Sequence, residues 1–349
     1  MNALVSRLRR SIAPAGKTLL FRSGGCRALR TLAPSRNVAI LRYHAVCGPE
    51  GYAYADPGIC VSPEAFDAHI AYLSSQYAVL PLPEAVARLT SRQPLPPNAV
   101  AITFDDGYAD NLGAARTLHK YGVVGTFYLT ADCLADGQPF WPTEIKTLVE
   151  ALRGPAVTIT VPRAQTLPLA TATDRYRAIK TLTKLCKGHP IPVRDALRAE
   201  LRQLAGVPAA PTPTMLTWDQ VREMVSLGMD MGGHTLTHTN LPSAGPEDAW
   251  REIDGCRRVL RERLGVEVTQ FSYPNGGAER YHTPELHDMA RRAGFTGAAT
   301  SSNGFTTPDS DPYAMERVEI EERLEDLVFA LEVERFAFRP APRRAETHA

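Results

Sequence analysis

"AVAITFDDGY", residues 99–108, joins a short run of apolar and β-branched side chains to two adjacent carboxylates and a glycine. An unbroken apolar run of this length suits a strand buried on both faces, as strands of parallel sheets are. Asp105 and Asp106 then stand at its carboxyl end. Like charges side by side raise each other's pKa and destabilise the fold unless something holds them.

Working outward, "VAILRYH" (38–44) reads as another buried strand, ending at a histidine, and "VVGTFYL" (123–129) as a third. A helix opened by Ser62 as N-cap and Pro63 in the first turn lies between the first two, and a helix over 110–120 lies between the next two. Strands alternating with helices set the rhythm of a parallel α/β sheet or barrel. The rhythm breaks from about 137 to 213. There "VTITV" and "TLPLA" suggest a small hairpin, "DRYRAIKTLTKL" and "VRDALRAELRQL" charged amphipathic helices, and "VPAAPTPT" a return linker. It then resumes with helices at 217–227, 246–264, 283–293 and from 322, and strands at 229–232, 268–273, 296–300 and 315–320. The expected organisation is a basic N-terminal arm (1–36), a catalytic body (37–336) with an insertion (137–213) capping one end, and a basic tail (337–349).

The chain has 349 residues, 44% hydrophobic and 22% charged, and its net charge of +1 gives no reason to expect a nucleic-acid partner. Charge is unevenly placed: residues 1–36 carry Arg7, Arg9, Arg10, Lys17, Arg22, Arg27, Arg30 and Arg36 without any acid. "LVSRLRRSI" reads either as a short amphipathic arm for an anionic membrane surface or as a solvated tail. No apolar stretch forms a signal h-region or reaches the roughly 18 residues of a membrane span. The six cysteines are scattered without CxxC pairs, which suits a reducing compartment. The expectation is a cytoplasmic protein, peripheral to the inner membrane through its arm.

Four clusters fall at strand ends: His44, Asp105–Asp106, "GGHTLTH" (232–238) and "YPNGG" (273–277). Parallel α/β folds collect functional groups at the carboxyl ends of their strands, so the four can share one pocket. Each alone has a plain structural reading: an Asp-Asp-Gly turn, surface or core histidines, a Pro-Asn-Gly turn. Together they suggest a metal centre. His234 and His238, at i and i+4, can point the same way, and two histidines with one carboxylate form a common three-ligand set for a divalent ion. The second aspartate then stays beside the ion as a base, and the cation relieves the repulsion between the pair.

"TFDDGY", "HTLTH" and "FSYPNGG", in that order, resemble the first three motifs of the polysaccharide deacetylases, the family 4 carbohydrate esterases. The resemblance implies a distorted (β/α) barrel of about seven strands. It implies Asp105 as catalytic base, Asp106, His234 and His238 as ligands of zinc or another divalent transition metal, and Tyr273 as the residue whose backbone N–H holds the oxyanion. The sequence departs from the usual pattern in two places. Phe271 stands where an arginine heads the third motif, and no histidine lies between 300 and His348. "LRYHAV" instead is similar to the permuted poly-N-acetylglucosamine deacetylases, which makes His44 the expected general acid. Arg317, in "MERVEI", is expected to replace the missing arginine by pairing with Asp105. Tyr108, Trp141 and Trp218 are candidate sugar-stacking faces, and Asn275 either binds substrate or shapes its turn. The implied reaction is metal-dependent removal of the N-acetyl group from hexosamine units of a polysaccharide or lipid-linked glycan. A deformylase or O-deacetylase on the same scaffold, or a glycan-binding barrel without catalysis, are the alternatives.

Overall fold

A computed structural model describes residues 12–210, 214–276 and 281–337. Most of "LVSRLRRSI", part of the 206–213 linker, Gly277 of "YPNGG" and nearly all of the basic tail lie outside the described residues.

Seven parallel strands close into a barrel: β1 (Val38–Tyr43), β2 (Ala99–Phe104), β3 (Gly125–Leu129), β4 (Asp230–Gly233), β5 (Gln270–Ser272), β6 (Gly297–Asn303) and β7 (Met315–Glu319). Each strand pairs with the next in the chain, and β7 returns to pair with β1. The β1–β2 ladder runs in full register from Val38 opposite Ala99 to Tyr43 opposite Phe104. All six residues of β2 are buried, as its unbroken apolar run predicts. The α/β barrel of about seven strands expected from the sequence is the observed fold.

Side-chain alternation divides each strand between two cores. Outward-facing Tyr43, Phe104 and Phe127 stack in series, with 4.4 Å between the Phe104 and Phe127 rings, and meet the surrounding helices through Phe66. Val38, Ile40, Ala99, Ala101, Tyr128, Ala299 and Met315 form a second core with Leu82, Val86 and Leu89 of the helix Leu82–Thr90. That end is therefore sealed by apolar packing, and the carboxyl ends of the strands are left for polar groups.

The segment after β3 is a compact unit. The helix Trp141–Ala151, the hairpin Ala156–Ile159/Gln165–Pro168 and the helices Ala172–Gly188 and Ile191–Ala205 share their own core around Ile145, Leu148, Ile159, Leu182, Leu197 and Leu201. Within the basic N-terminal region, the helices Pro14–Arg22 and Gly25–Leu32 pack on the helix Leu324–Glu332. Lys17 pairs with Asp326 at 2.8 Å, and the Arg30 guanidinium lies 4.9 Å from the Tyr77 ring centre. Two of the arm's cations thus serve packing. Among the described residues no helix is long and apolar enough to cross a membrane.

Gly232 lets β3 and β4 approach. A Cβ there would meet Cδ1 of Tyr128 at 2.5 Å and the Gln270 carbonyl at 3.0 Å. Gly232→Ala is expected to destabilise the protein by about 1–3 kcal/mol, as overpacked cores do, read as a lower urea midpoint with an unchanged slope.

Candidate metal centre and active site

Continuing the alternation of β1 and β2 past their ends carries His44 and Asp105 inward over the barrel mouth. Asp105 is buried, and Arg317 of β7, 212 residues away in sequence, grips it. The two guanidinium nitrogens Nη1 and Nη2 donate to Asp105 Oδ1 and Oδ2 at 2.7 and 2.6 Å. The remaining donors reach the Thr300 carbonyl (2.8 Å), Ser272 Oγ (3.1 Å) and Thr103 Oγ1 (3.3 Å). A planar fork on a carboxylate is the strongest common form of charged hydrogen bond. Burial alone pushes the Asp105 carboxyl up, but Arg317 with the nearby His234 and His44 holds it well below the usual carboxylate range. The pairing expected of Arg317 is present.

Asp106 follows with φ +80° and Gly107 with φ +91°, so two left-handed residues in succession throw the second carboxylate across the mouth. Its Oδ1 lies 3.4 Å from His234 Nε2 and 3.2 Å from His238 Nε2. The three residues are buried, with their ligand atoms within 4.8 Å of one another. Burial pushes the Asp106 carboxyl up and the facing imidazoles more than offset it, leaving it well below the ordinary value.

His234 Nδ1 lies 2.8 Å from the Ser272 carbonyl, which can only accept, so Nδ1 carries the proton. In the neutral form that a metal ligand takes, Nε2 would then present its lone pair toward Asp106 Oδ1. A divalent cation between that lone pair and Asp106 Oδ1 would bind both. His238 has its pKa lowered, chiefly by burial, which favours the neutral ligand form. One carboxylate and two neutral imidazoles fit zinc and similar divalent ions, with open positions for water and substrate.

His44 Nε2 lies 3.7 Å from Asp105 Oδ2. Burial pushes this imidazole down to about 4 against the upward pull of Asp105 and Asp106, so it is neutral at neutral pH. The loops around the mouth are strained as well: Thr235, His238 and Asn275 join Asp106 in the left-handed region, with φ of +65°, +54° and +74°. Such strain persists where surrounding structure enforces it, and it clusters at functional sites.

Several expected roles change. The Tyr273 backbone N–H donates to the Ala299 carbonyl at 3.0 Å, continuing the β5–β6 ladder, and so does not face an oxyanion. Its ring is buried, and its hydroxyl donates to the Tyr313 carbonyl. Tyr108 is only 2% exposed, packed against Tyr54 and Phe140, and Trp141 is 1% exposed. Trp218 is likewise in the core, capped by Arg263. None of these three rings offers a face to a sugar, because burying an aromatic beside the mouth is worth more than exposing it. The Trp141 indole instead donates to the His238 carbonyl at 3.0 Å. Asn275 keeps its candidacy: both polar atoms of its carboxamide are buried without a hydrogen-bond partner among the described residues. Ser272, whose carbonyl fixes the His234 tautomer, had no signal in the sequence, since a backbone carbonyl is common to every residue type.

Residues 170–298 match the family model of the polysaccharide deacetylases. Over that stretch the chain is similar to the polysaccharide deacetylases. The matched segment includes His234, His238 and Tyr273, while Asp105 and Asp106 precede it. The chain is 21% identical over 308 residues to YxkH of Bacillus subtilis (strain 168), which bears a putative polysaccharide deacetylase name; the match covers 88% of this chain and 79% of the relative. Among solved structures, the Streptococcus pyogenes deacetylase PplD in complex with acetate aligns with a TM-score of 0.55 and 20% identity, over 86% of this chain and 100% of that one. IcaB from Ammonifex degensii aligns with a TM-score of 0.53 and 19% identity, over 86% and 98%. These likenesses show that the deacetylase barrel fold is shared.

His69, on the helix Pro63–Gln76, is fully buried beside the Tyr43 hydroxyl and, like His44, is pushed down to about 4 by burial. A histidine whose folded pKa lies below its unfolded value of about 6.5 takes up protons preferentially in the unfolded chain. Its contribution is complete above about pH 6.5 and is lost as pH falls toward 4. Thermal midpoints are therefore expected to drop between pH 7 and pH 5, and His69→Gln is expected to flatten that drop.

Proposed function

We propose that this protein is a metal-dependent N-deacetylase acting on N-acetylhexosamine units of a polysaccharide or lipid-linked glycan, with zinc as the resident ion. The reading rests on one juxtaposition: the Asp106–His234–His238 ligand set lies at the same mouth as the Arg317-held Asp105 and His44. When bound, the ion polarises the amide carbonyl and acidifies the attacking water. Asp105 accepts the water proton. Because Arg317 makes it a weak base, it holds that proton only briefly, and His44, 3.7 Å away and neutral at rest, is placed to receive it. His44 then donates to the amine as the C–N bond breaks, giving acetate and a free amino sugar. Asn275, whose carboxamide has no partner among the described residues, is the candidate for orienting the sugar.

Incubation with N-acetylglucosamine oligomers and with lipid-linked acetylated saccharides is expected to release acetate, with mass spectra showing loss of single acetyl groups. Chelator is expected to stop release and zinc to restore it. Asp106→Asn is expected to lower activity at least about 100-fold with weakened metal binding. Metal binding without release of any acyl group would favour a glycan-binding barrel.

We also infer a cytoplasmic protein held peripherally at the inner membrane. Leu19 and Leu32 of the two N-terminal helices are 69% and 85% exposed in a segment with no acidic residue, which suits an anionic bilayer surface. Cosedimentation with vesicles containing phosphatidylglycerol, lost in high salt and in Leu19→Ser/Leu32→Ser, is the expected outcome. Recovery of the native protein only from periplasm or medium would overturn the assignment.

A further inference from the structure

We infer that the inserted segment is part of the metal centre, with Arg194 acting as a positioning residue for the ligand His238. The inference rests on the metal-centre reading above.

Thr237 and Thr239 flank His238, and both are seized by buried charges from other elements. Arg194, 3% exposed on the insertion helix Ile191–Ala205, donates through Nη1 to the Thr237 carbonyl (3.2 Å) and to Thr239 Oγ1 (3.0 Å). Its Nη2 reaches Thr237 Oγ1 at 3.2 Å. From the opposite side Glu252, 2% exposed on the helix Pro246–Leu264, accepts from the Thr237 backbone N–H (2.8 Å) and hydroxyl (2.6 Å). The proton count closes. The Thr237 hydroxyl gives its hydrogen to Glu252, so the Thr239 hydroxyl donates to Thr237 Oγ1 at 2.9 Å and its own oxygen accepts from Arg194. Arg194 and Glu252, opposite charges too far apart in sequence to pair locally, are thus joined through the residues beside a metal ligand.

His238 needs such a brace. It is held at φ +54°, unfavourable for a side chain of its size. Its Nδ1 is buried without a hydrogen-bond partner among the described residues. Ligand histidines usually have that nitrogen oriented by a hydrogen bond, as His234 has. His238 therefore takes its orientation from the backbone, through Arg194 and Glu252 beside it and the Trp141 indole on its carbonyl.

Trp141 and Arg194 both belong to the insertion, and one residue ties their helices together. Glu144, one turn beyond Trp141, receives Arg198 Nε at 2.6 Å and Arg202 Nε at 2.7 Å. Arg194, Arg198 and Arg202 recur at intervals of four, so one stripe of the helix fastens the insertion to itself and to the ligand loop.

The test uses the full chain stripped of metal. Affinity for Co2+ and Zn2+ is measured by competition with a chromophoric chelator, and the Co2+ absorption spectrum is recorded. Arg194→Met and Thr239→Val are expected to weaken metal binding about ten- to a hundred-fold and to alter the Co2+ bands. Activity is expected to return in excess metal, and Arg194→Lys to recover part of the affinity. Thr239→Val leaves the insertion core intact and decides the matter if Arg194→Met does not fold. Wild-type affinity and an unchanged Co2+ spectrum in the variants would overturn the inference. Failure of the wild-type protein to bind either ion would overturn the metal centre, and this inference with it.

Discussion

Two carboxylates on consecutive residues, both buried at the end of β2, are the constraint around which the mouth of this barrel is built. Uncompensated burial of either would cost several kcal/mol or force it to protonate. The solutions differ. Asp105 receives a guanidinium with every donor engaged, which fixes its charge and its geometry. Asp106 faces two imidazole nitrogens, at 3.4 and 3.2 Å, in an arrangement that a divalent ion could share. Adjacent residues of one type thereby become a fixed anion and a candidate metal ligand, by environment alone.

Barrel closure delivers the first compensation. Arg317 lies on β7, which pairs with β1, and reaches across the interior to the end of β2. An open sheet with the same strands would leave β7 remote from β2 and the arginine without its anion. The Asp105–Arg317 pair is accordingly a product of topology, and it ties the closing strand to the chemistry. Removing one partner of such a buried pair typically costs about 3–5 kcal/mol, because the other charge is stranded.

The ligand loops are held by tertiary contacts that local propensity opposes. Asp106, Thr235, His238 and Asn275 all sit at positive φ, where a non-glycine residue costs about 1–3 kcal/mol. A loop free to relax would lose these conformations and the convergence of Asp106 with both histidines. Glu252 from a barrel helix and Arg194 and Trp141 from the insertion keep it from relaxing. The insertion, which has its own apolar core, also reaches the loop that carries His238.

The strand rhythm, the break between 137 and 213, and the gathering of His44, the two aspartates and the two histidines at strand ends are all legible in the residues themselves, while the choice of Asp106 to join the histidines is implied only by the family resemblance. Each depends on local pattern: apolar runs for parallel strands, turn residues after them, and ligand types at fixed spacing. Roles that depend on what lies opposite are not. Tyr108 and Trp141 look like platforms in a sequence because aromatic residues near a motif can face solvent or core with equal ease, and packing chose the core. The Tyr273 amide is spent on a β6 carbonyl, a choice of strand register that its neighbours in sequence do not encode. By itself the sequence determined the strand–helix alternation of a parallel α/β fold and the chemical types at its strand ends, through short-range periodicity and composition. Only the tertiary structure decided which groups are bound, which are free and which are charged, since burial, partner and register arise between residues tens to hundreds of positions apart.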